Sequence, residues 1–372
     1  MRIGVPKEIK VEEYRVGLTP GSVRELVAAG HGLWVETSAG AGIGMSDAAY
    51  TDAGATVVAT AADVFAASEM IVKVKEPQAQ EWAMLRVGQI LFTYLHLAPD
   101  AEQTQGLLSS GATAIAYETV VDAQGGLPLL APMSEVAGRL SIEAAATALK
   151  RTNGGSGKLL GGVPGVAPAR VLVIGGGVVG THAARMAVGL GAEVTIVDRA
   201  LPRLRALDEL FGGRVRTRTS SIAAIEEELA RADAVIGAVL VAGAAAPRLI
   251  SRRMLALMQP RSVLVDVAID QGGCFETSRP TTHMAPTYEV DGIIHYCVAN
   301  MPGAVPRTST EALNNATLPY VLALARDGFG AMRRDAGLLQ GLNIHRGKCT
   351  NQPVADAQGL PYAAAATALE SE

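Results

Sequence analysis

Cysteine is scarce in this sequence of 372 residues, which contains three, at positions 274, 297 and 349, and no C-x-x-C pair. Such scattered cysteines argue against a disulfide scaffold and a zinc site, and they predict a reducing compartment. Aromatic residues reach only 4% and charged residues 18%, whereas hydrophobic residues make up 49% and glycine occurs 41 times. This balance argues against a disordered chain and is typical of a glycine-punctuated α/β protein.

The net charge is also small, and the apolar runs are short. The net charge is −4, which gives no reason to expect nucleic acid or an anionic membrane surface as a partner. The longest weakly apolar run, about residues 234–246, is broken by glycine and too short to span a bilayer. The first residues, MRIGVPKE, contain no apolar signal-peptide core. We therefore expect a soluble cytoplasmic protein.

The strongest motif is Val171-Leu-Val-Ile-Gly-Gly-Gly-Val-Val-Gly180, an apolar run followed by G-x-G-x-x-G. The apolar run predicts a buried parallel strand, and a helix-like stretch follows it. Gly175 would allow the sharp turn, Gly177 the approach of a pyrophosphate, and Gly180 close packing of helix on strand. The pyrophosphate would lie on the helix N-terminus, where free N–H groups favour an anion. The motif predicts a dinucleotide site rather than an ordinary glycine-rich turn.

An acidic residue after the next strand indicates which dinucleotide binds. That strand ends in Asp198, 18 residues after Gly180, close to where a carboxylate is expected to bind the adenosine ribose. A carboxylate accepts hydrogen bonds from both ribose hydroxyls but repels a 2′-phosphate, so NAD is favoured over NADP. Arg199 and Arg203 follow closely and could soften that repulsion.

The chain is too long for one ordinary core, which predicts two domains. Strand-like and helix-like segments alternate on both sides of the Gln124–Pro128 stretch, and such alternation predicts parallel sheets covered on both faces. A final helix pair, about 310–327 and 335–341, has no strand partner nearby and is expected to cross back to the first lobe. We predict an α/β fold of two doubly wound, Rossmann-like lobes with the active site in the cleft between them. The predicted domains are a substrate or catalytic domain, 1–128 plus 308–372, and an NAD-binding Rossmann domain, 129–307.

Reactive side chains follow three predicted strands, where ligands collect in open α/β sheets. Lys75 and His96 belong to the first lobe and Asp270 to the second, so all three could face one cleft. Each also has a plainer interpretation, as a solvated lysine, a hydrogen-bonded surface histidine or a helix cap. Arg15 is either a surface charge or a fork for a substrate carboxylate, whose geometry guanidinium matches. Ser134 is either the N-cap of a long helix or a cofactor contact.

Further segments are distinctive in combination: residues 1–8 (MRIGVPKE), 13–20 (EYRVGLTP), 72–77 (VKVKEP), 92–97 (FTYLHL), 131–139 (APMSEVAGR), 265–276 (VDVAIDQGGCFE), 278–282 (SRPTT) and 297–302 (CVANMP). With these segments the chain resembles the bacterial alanine dehydrogenases from end to end. The resemblance implies that His96 and Asp270 are catalytic and that Arg15 and Lys75 bind the substrate carboxylate and carbonyl. It also implies a homohexamer.

The motif and the resemblance together predict the residues of the NAD site. They are Ser134, Gly175, Gly177, Val178, Val179, Gly180, Asp198, Arg203, Ser220, Val239, Leu240, Val267, Ala268, Ile269, Asp270, Arg279, Val298, Ala299, Asn300 and Met301. The sequence departs from the family at two places. Arg203 stands where many members have lysine, and the charge is kept. Ala323 and Asp327 stand where some members bind a divalent ion with Glu and His, so we predict no metal.

The resemblance implies NAD-dependent, reversible oxidative deamination of L-alanine to pyruvate and ammonia. Two alternatives stay open at the level of sequence. The NAD-binding subunit of a proton-translocating transhydrogenase has the same two-lobed organisation, and an opine-type dehydrogenase would condense an amino acid with a keto acid.

Overall fold

The computed structural model describes residues 1–239 and 247–370. The chain forms two compact units, Met1–Met133 with Val305–Glu372 (the first unit) and Ser134–Ala304 (the second unit). The assignment of one to substrate and the other to NAD stays a prediction at this point.

In the described residues the strands are, in chain order, β1 (Arg2–Val5), β2 (Gly32–Glu36), β3 (Thr56–Val58), β4 (Met70–Val72), β5 (Ile90–Thr93), β6 (Thr113–Ala116), β7 (Arg170–Ile174), β8 (Glu193–Asp198), β9 (Arg216–Thr219), β10 (Ala234–Gly237), β11 (Val263–Asp266), β12 (Thr287–Val290), β13 (Ile293–Tyr296), β14 (Leu342–His345) and β15 (Lys348–Cys349).

The α-helices of the same ranges are α1 (Pro20–Ala28), α2 (Asp47–Asp52), α3 (Ala61–Ala67), α4 (Ala79–Trp82), α5 (Ala101–Ser110), α6 (Ala131–Ala148), α7 (Val178–Gly189), α8 (Leu201–Phe211), α9 (Ile222–Leu229), α10 (Pro306–Asp327), α11 (Phe329–Arg334), α12 (Ala336–Gln340), α13 (Gln352–Gln358) and α14 (Ala365–Glu370).

Each unit contains one sheet, and both sheets have the same parallel order. In the first unit the order is β15-β14-β6-β5-β4-β1-β2-β3, and in the second it is β12-β13-β11-β10-β7-β8-β9. Six strands of each unit pair in parallel. When these six are numbered in chain order within their unit, they lie in the order 3-2-1-4-5-6, which is that of a doubly wound dinucleotide-binding fold. The predicted α/β fold with two Rossmann-like lobes is confirmed.

The central strands of both sheets are buried on both faces, as parallel strands covered by crossover helices must be. Along β4, Met70 and Val72 enter one apolar layer of the first unit while Ile71 enters the other. Along β7, Val173 and Leu172 likewise enter opposite layers of the second unit. Because successive strand side chains point to opposite faces, continuous apolar runs rather than alternating ones encode these strands.

The prediction that no strand lies near the late helices is wrong. β14 pairs antiparallel with β6, and β15 folds back onto β14. Arg346 and Gly347 connect them, with φ of 47° and 78°, the two positive values that a tight two-residue hairpin turn requires. The polar sequence of this hairpin obscured the strand signal, although the Arg-Gly turn could have revealed it.

Two predicted strands are too long, and one predicted cap is misplaced. Strands expected over 70–75 and 90–95 end at Val72 and Thr93. Beyond these residues, backbone N–H groups donate to carboxylate side chains instead of a neighbouring strand: Val74 N–H donates to Glu8 Oε1 (2.7 Å) and Leu95 N–H to Glu118 Oε1 (3.1 Å). Helix α6 begins at Ala131, so Ser134 lies inside its first turn and is not its N-cap.

Candidate active site

The predicted cofactor residues of the second unit follow the carboxyl ends of its parallel strands. The glycine motif follows β7, Asp198 ends β8, and Ser220 follows β9. Val239 follows β10, residues 267–270 follow β11, and residues 298–301 follow β13. β7 and β10 are neighbours, and the strand order reverses between them, which is where open α/β sheets bind ligands. Leu240 lies outside the described residues.

The glycine motif forms the turn between β7 and α7. Gly175 has a φ of +100°, and a Cβ there would lie 2.7 Å from Ala238 O. Gly180 lies against the turn so closely that a Cβ would fall 1.8 Å from Gly175 O. Gly177 is the N-cap of α7 and would meet nothing within 4 Å if it carried a Cβ. The site therefore offers open space at a helix N-terminus, which fits a pyrophosphate.

Asp198 and Arg203 both hold the glycine motif. Asp198 Oδ2 accepts from Gly176 N–H at 2.7 Å, and its Oδ1 accepts from Ala200 N–H at 2.8 Å. Arg203 donates through Nε–H to Gly176 O (2.5 Å) and through Nη2–H to the Thr181 hydroxyl (2.6 Å). Arg203 thus stabilises the loop through protein acceptors.

On the other side of the switch point, the segments after β11 and β13 contact each other. Asn300 N–H donates to both Asp270 oxygens, at 3.2 and 3.3 Å, and Asn300 itself has a φ of 55°. Arg279 lies over the Tyr288 ring, with Cζ 4.2 Å from its centre. Asp270 is exposed, so its carboxylate is accessible at this edge.

The predicted residues of the first unit occupy the corresponding edge of its own sheet. Arg15 lies in the loop after β1, Lys75 after β4 and His96 after β5. β1 and β4 are neighbours, and the strand order reverses between them. Arg15 and Lys75 therefore follow the two strands of the switch point, and His96 follows the next strand along the same sheet.

Arg15 is held by a buried carboxylate. Glu13 Oε1 accepts from Arg15 Nε–H at 2.7 Å and Oε2 from Nη2–H at 2.6 Å, and the two side chains are 0% and 1% exposed. Nη1–H donates to Met133 Sδ at 3.1 Å. Burial opposes the charge of Arg15, but the hydrogen bonds and charge of Glu13 raise its pKa. The guanidinium is therefore a permanent cation, and Glu13 fixes its Nε/Nη2 edge.

A buried ionic cluster fixes the segment that carries Lys75. Lys73 Nζ lies 3.0 Å from Glu8 Oε2 and 2.7 Å from Glu81 Oε1, and none of the three side chains is more than 2% exposed. Glu8 Oε1 also accepts from the N–H groups of Val74 and Lys75. Lys73 thus anchors the carboxylate that accepts from the backbone N–H of Lys75.

His96 is oriented by its backbone and by Glu118. Its φ is +50°, an unusual conformation for a residue with a side chain and one that is often found at functional sites. Glu118 Oε1 accepts from His96 N–H at 2.6 Å and lies 3.6 Å from Nδ1. The imidazole stacks on Tyr94 with ring centres 5.8 Å apart, while its side chain stays 44% exposed.

Glu76 connects Lys75 with the loop after β1. Its carboxylate forms an ion pair with Lys10 and lies 3.8 Å from Lys75 Nζ. Burial alone would raise the pKa of Glu76, but the charges of Lys75, Lys10 and His96 outweigh burial and lower it to about 2. Glu76 is therefore an anion throughout the working pH range, set beside the predicted substrate lysine.

Models of two domains match the chain. The alanine dehydrogenase/PNT N-terminal domain matches residues 4–137, and the alanine dehydrogenase/PNT C-terminal domain matches residues 141–352. The chain belongs to the alanine dehydrogenase/PNT family. An alanine dehydrogenase of Halomonas elongata is 60% identical over 370 residues, which cover 99% of this chain and 100% of the relative.

Solved structures of the family have the same fold. An L-alanine dehydrogenase superposes with a TM-score of 0.93 and 54% identity, covering 96% of this chain and 99% of the other. A transhydrogenase of Sinorhizobium meliloti superposes with a TM-score of 0.80 and 26% identity, covering 95% and 99%. Membership of this family implies a nicotinamide dinucleotide cofactor and small-molecule substrates.

Sequence reasoning missed the carboxylates that hold the predicted family residues: Glu8, Glu13, Glu76, Glu118 and, in the second unit, Asp266. The position of Glu118 directly after a strand end was a signal, whereas the pairing of Glu8 with a lysine 65 positions away left none. In the described part of the chain, no group of three or more His, Cys, Asp or Glu could hold a metal ion. No helix there is long and apolar enough to cross a membrane.

Proposed function

We propose that this chain is an NAD-dependent L-alanine dehydrogenase, which reversibly converts L-alanine to pyruvate and ammonia. The observation that carries the proposal is that Arg15, Lys75 and His96 follow three adjacent parallel strands of one sheet, β1, β4 and β5, in a full-length member of this family. This set combines a carboxylate-binding cation, a carbonyl-binding cation and a titratable acid or base.

The second unit is the proposed NAD-binding domain, and the first is the substrate domain. The open space at Gly177 and the helix N-terminus behind it fit a pyrophosphate. Asp198 is placed to accept from ribose hydroxyls, and its charge disfavours the 2′-phosphate of NADP. Arg203 already donates to Gly176 O and Thr181, which also supports NAD. When bound, NAD supplies the hydride acceptor.

Arg15 and Lys75 bind and orient the substrate. Glu13 accepts from the Nε/Nη2 edge of Arg15, and Met133 Sδ accepts from Nη1, so the guanidinium is held in one orientation in the proposed substrate domain. Lys75, as a cation beside Glu76, polarises the carbonyl oxygen of pyruvate in the reverse direction. Holding the substrate at two points lowers the entropic part of the barrier.

His96 and Asp270 carry the proton and charge chemistry. His96 is the general acid and base for attack of water on the iminium and for breakdown of the carbinolamine, the role that histidine fills most often in enzymes. The exposed carboxylate of Asp270 stabilises the positive charge of the iminium. Its orientation comes from the Asn300 N–H.

The two other candidate functions have less support. The transhydrogenase is 26% identical, against 60% for the alanine dehydrogenase of Halomonas elongata. A subunit that only binds nucleotide would not need Lys75 and His96 as a pair. An opine-type enzyme would need a keto acid as co-substrate of the amino acid. The homohexamer stays an expectation from the family, and the cytoplasmic location stays an expectation from the sequence.

Formation of NADH with a panel of amino acids tests the proposal. L-alanine with NAD should give NADH together with pyruvate and ammonia in equal amounts, with no need for a keto acid. D-alanine, and L-alanine with NADP, are the matched controls and should give little reaction. Oxidation of NADH that requires an amino acid together with a keto acid, and no ammonia, would support the opine-type enzyme, and no reaction with any amino acid would support a nucleotide-binding subunit.

A further inference from the structure

Asp266 ends β11 and is the most completely hydrogen-bonded carboxylate described in the second unit. Its Oδ1 accepts from Ala268 N–H at 3.1 Å and from the Cys274 thiol at 3.4 Å. Its Oδ2 accepts from Cys274 N–H at 2.9 Å, Phe275 N–H at 3.3 Å and the Ser278 hydroxyl at 2.5 Å. The residue is 0% exposed, so it contacts neither solvent nor a ligand.

All five donors lie on the chain segment 268–278, which wraps around this carboxylate. The segment turns at Gly272 and Gly273, with φ of 90° and 78°. A Cβ at Gly273 would lie 2.6 Å from Asp266 Oδ2, so the turn is built for close contact with the carboxylate. Asp270 lies just before these two glycines, between the donors of Ala268 and Cys274.

The same carboxylate also fixes the next segment predicted to line the cofactor site. Ser278, its hydroxyl donor, precedes Arg279, whose N–H donates to the Tyr288 hydroxyl at 2.8 Å. Thr281 then pairs with the segment after β13: its N–H donates to Cys297 O at 2.9 Å, and Ala299 N–H donates to Thr281 O at 3.2 Å. The segments after β11 and β13 are thus connected through the turn that Asp266 holds.

We propose that Asp266 is a positioning residue for the nicotinamide half of the cofactor site, acting through the turn that carries Asp270. The inference rests on the proposed NAD-binding role of the second unit. The glycine motif and Asp198 lie on β7 and β8 and make none of these contacts. Asp266 therefore governs one half of the dinucleotide site independently of the other.

Asp266→Asn tests the proposal, because it places an NH2 group against backbone donors while keeping size. Calorimetric titrations with NAD and with ADP-ribose, which lacks only the nicotinamide, separate the two halves. We expect the variant to lose about tenfold in NAD affinity, as for one lost polar contact, and to keep the parent affinity for ADP-ribose. Turnover of alanine should fall about 10²-fold, as for a misplacement near 1 Å.

Asp233→Asn is the matched control. Asp233 is 9% exposed and accepts from Lys158 Nζ and Arg170 N–H, both at 2.8 Å. It precedes β10 and so lies at the amino-terminal ends of the strands, away from the predicted cofactor residues. It should lose thermal stability while both affinities keep their parent values. Ser278→Ala, which removes one donor and leaves the carboxylate, should show a smaller loss that is again confined to NAD. If Asp266→Asn does not fold, the titrations of Ser278→Ala with NAD and ADP-ribose test the positioning role of Asp266 instead.

Equal losses of NAD and ADP-ribose affinity in Asp266→Asn would mean a general structural role and would overturn the proposal. Parent-like NAD binding in both Asp266→Asn and Ser278→Ala would also overturn it. The binding titrations need no substrate. If the parent protein fails to oxidise alanine, the proposed function is wrong, while the contrast between NAD and ADP-ribose still decides the role of Asp266.

Discussion

Replacing Glu13 with glutamine should show how strongly Arg15 depends on its buried partner. Glu13 accepts three donors of Arg15, at 2.7, 2.6 and 3.0 Å, and both side chains are at most 1% exposed. The substitution removes the negative charge of Glu13 from a guanidinium that stays buried. Removing one partner of such a pair costs about 3–5 kcal/mol, so the urea midpoint of the first unit should fall clearly.

The matched control is Glu69→Gln in the same unit. Glu69 pairs with Arg2 at 3.4 Å, and the side chains are 49% and 55% exposed, so this change should cost about 1 kcal/mol or less. The double variant Glu13→Leu, Arg15→Met should cost less than the sum of its single changes, because it leaves no buried charge. A loss in Glu13→Gln no larger than in Glu69→Gln would refute the account of Arg15.

Other changes give predictions that kinetics or titration can check. Asp198→Ala should raise KM for NAD and lower the ratio of kcat/KM for NAD to kcat/KM for NADP. Equal kcat/KM for the two cofactors in the parent protein would contradict this prediction. His96→Gln should lower kcat by about 10²–10⁴-fold with NAD affinity unchanged by calorimetry, and a parent-like kcat would remove His96 from the chemistry. Glu76 has a pKa lowered from 4.5 to about 2, so its ionisation stabilises the fold fully above pH 4.5. That stability, about 3 kcal/mol, is lost as pH falls towards 2, and Glu76→Gln should flatten the acid limb of a stability profile.

The parallel core of each unit could be predicted from sequence because its strands are continuous apolar runs separated by helices. The edge hairpin could not, since β14 and β15 are short and carry Asn343, His345 and Lys348 among few apolar residues. Tertiary pairing with β6, not local propensity, determines those strands.

The predicted site residues could be placed at strand ends because parallel strands deliver their carboxyl ends to one edge. Their supporting carboxylates could not, because partners such as Glu8 and Lys73 are distant in sequence and meet only in the folded sheet. Asp266 ends an otherwise apolar strand, and its five donors become apparent only when the following segment closes on it.

Transfer of deuterium from the α-carbon of L-alanine to the cofactor would demonstrate the proposed hydride transfer itself. The protein would be incubated with NAD and L-alanine carrying deuterium at the α-carbon, and the products analysed by mass spectrometry. We expect the NADH formed to carry the deuterium, and pyruvate and ammonia to appear in equal amount. NADH without deuterium, or no NADH with L-alanine as the sole amino acid, would contradict it.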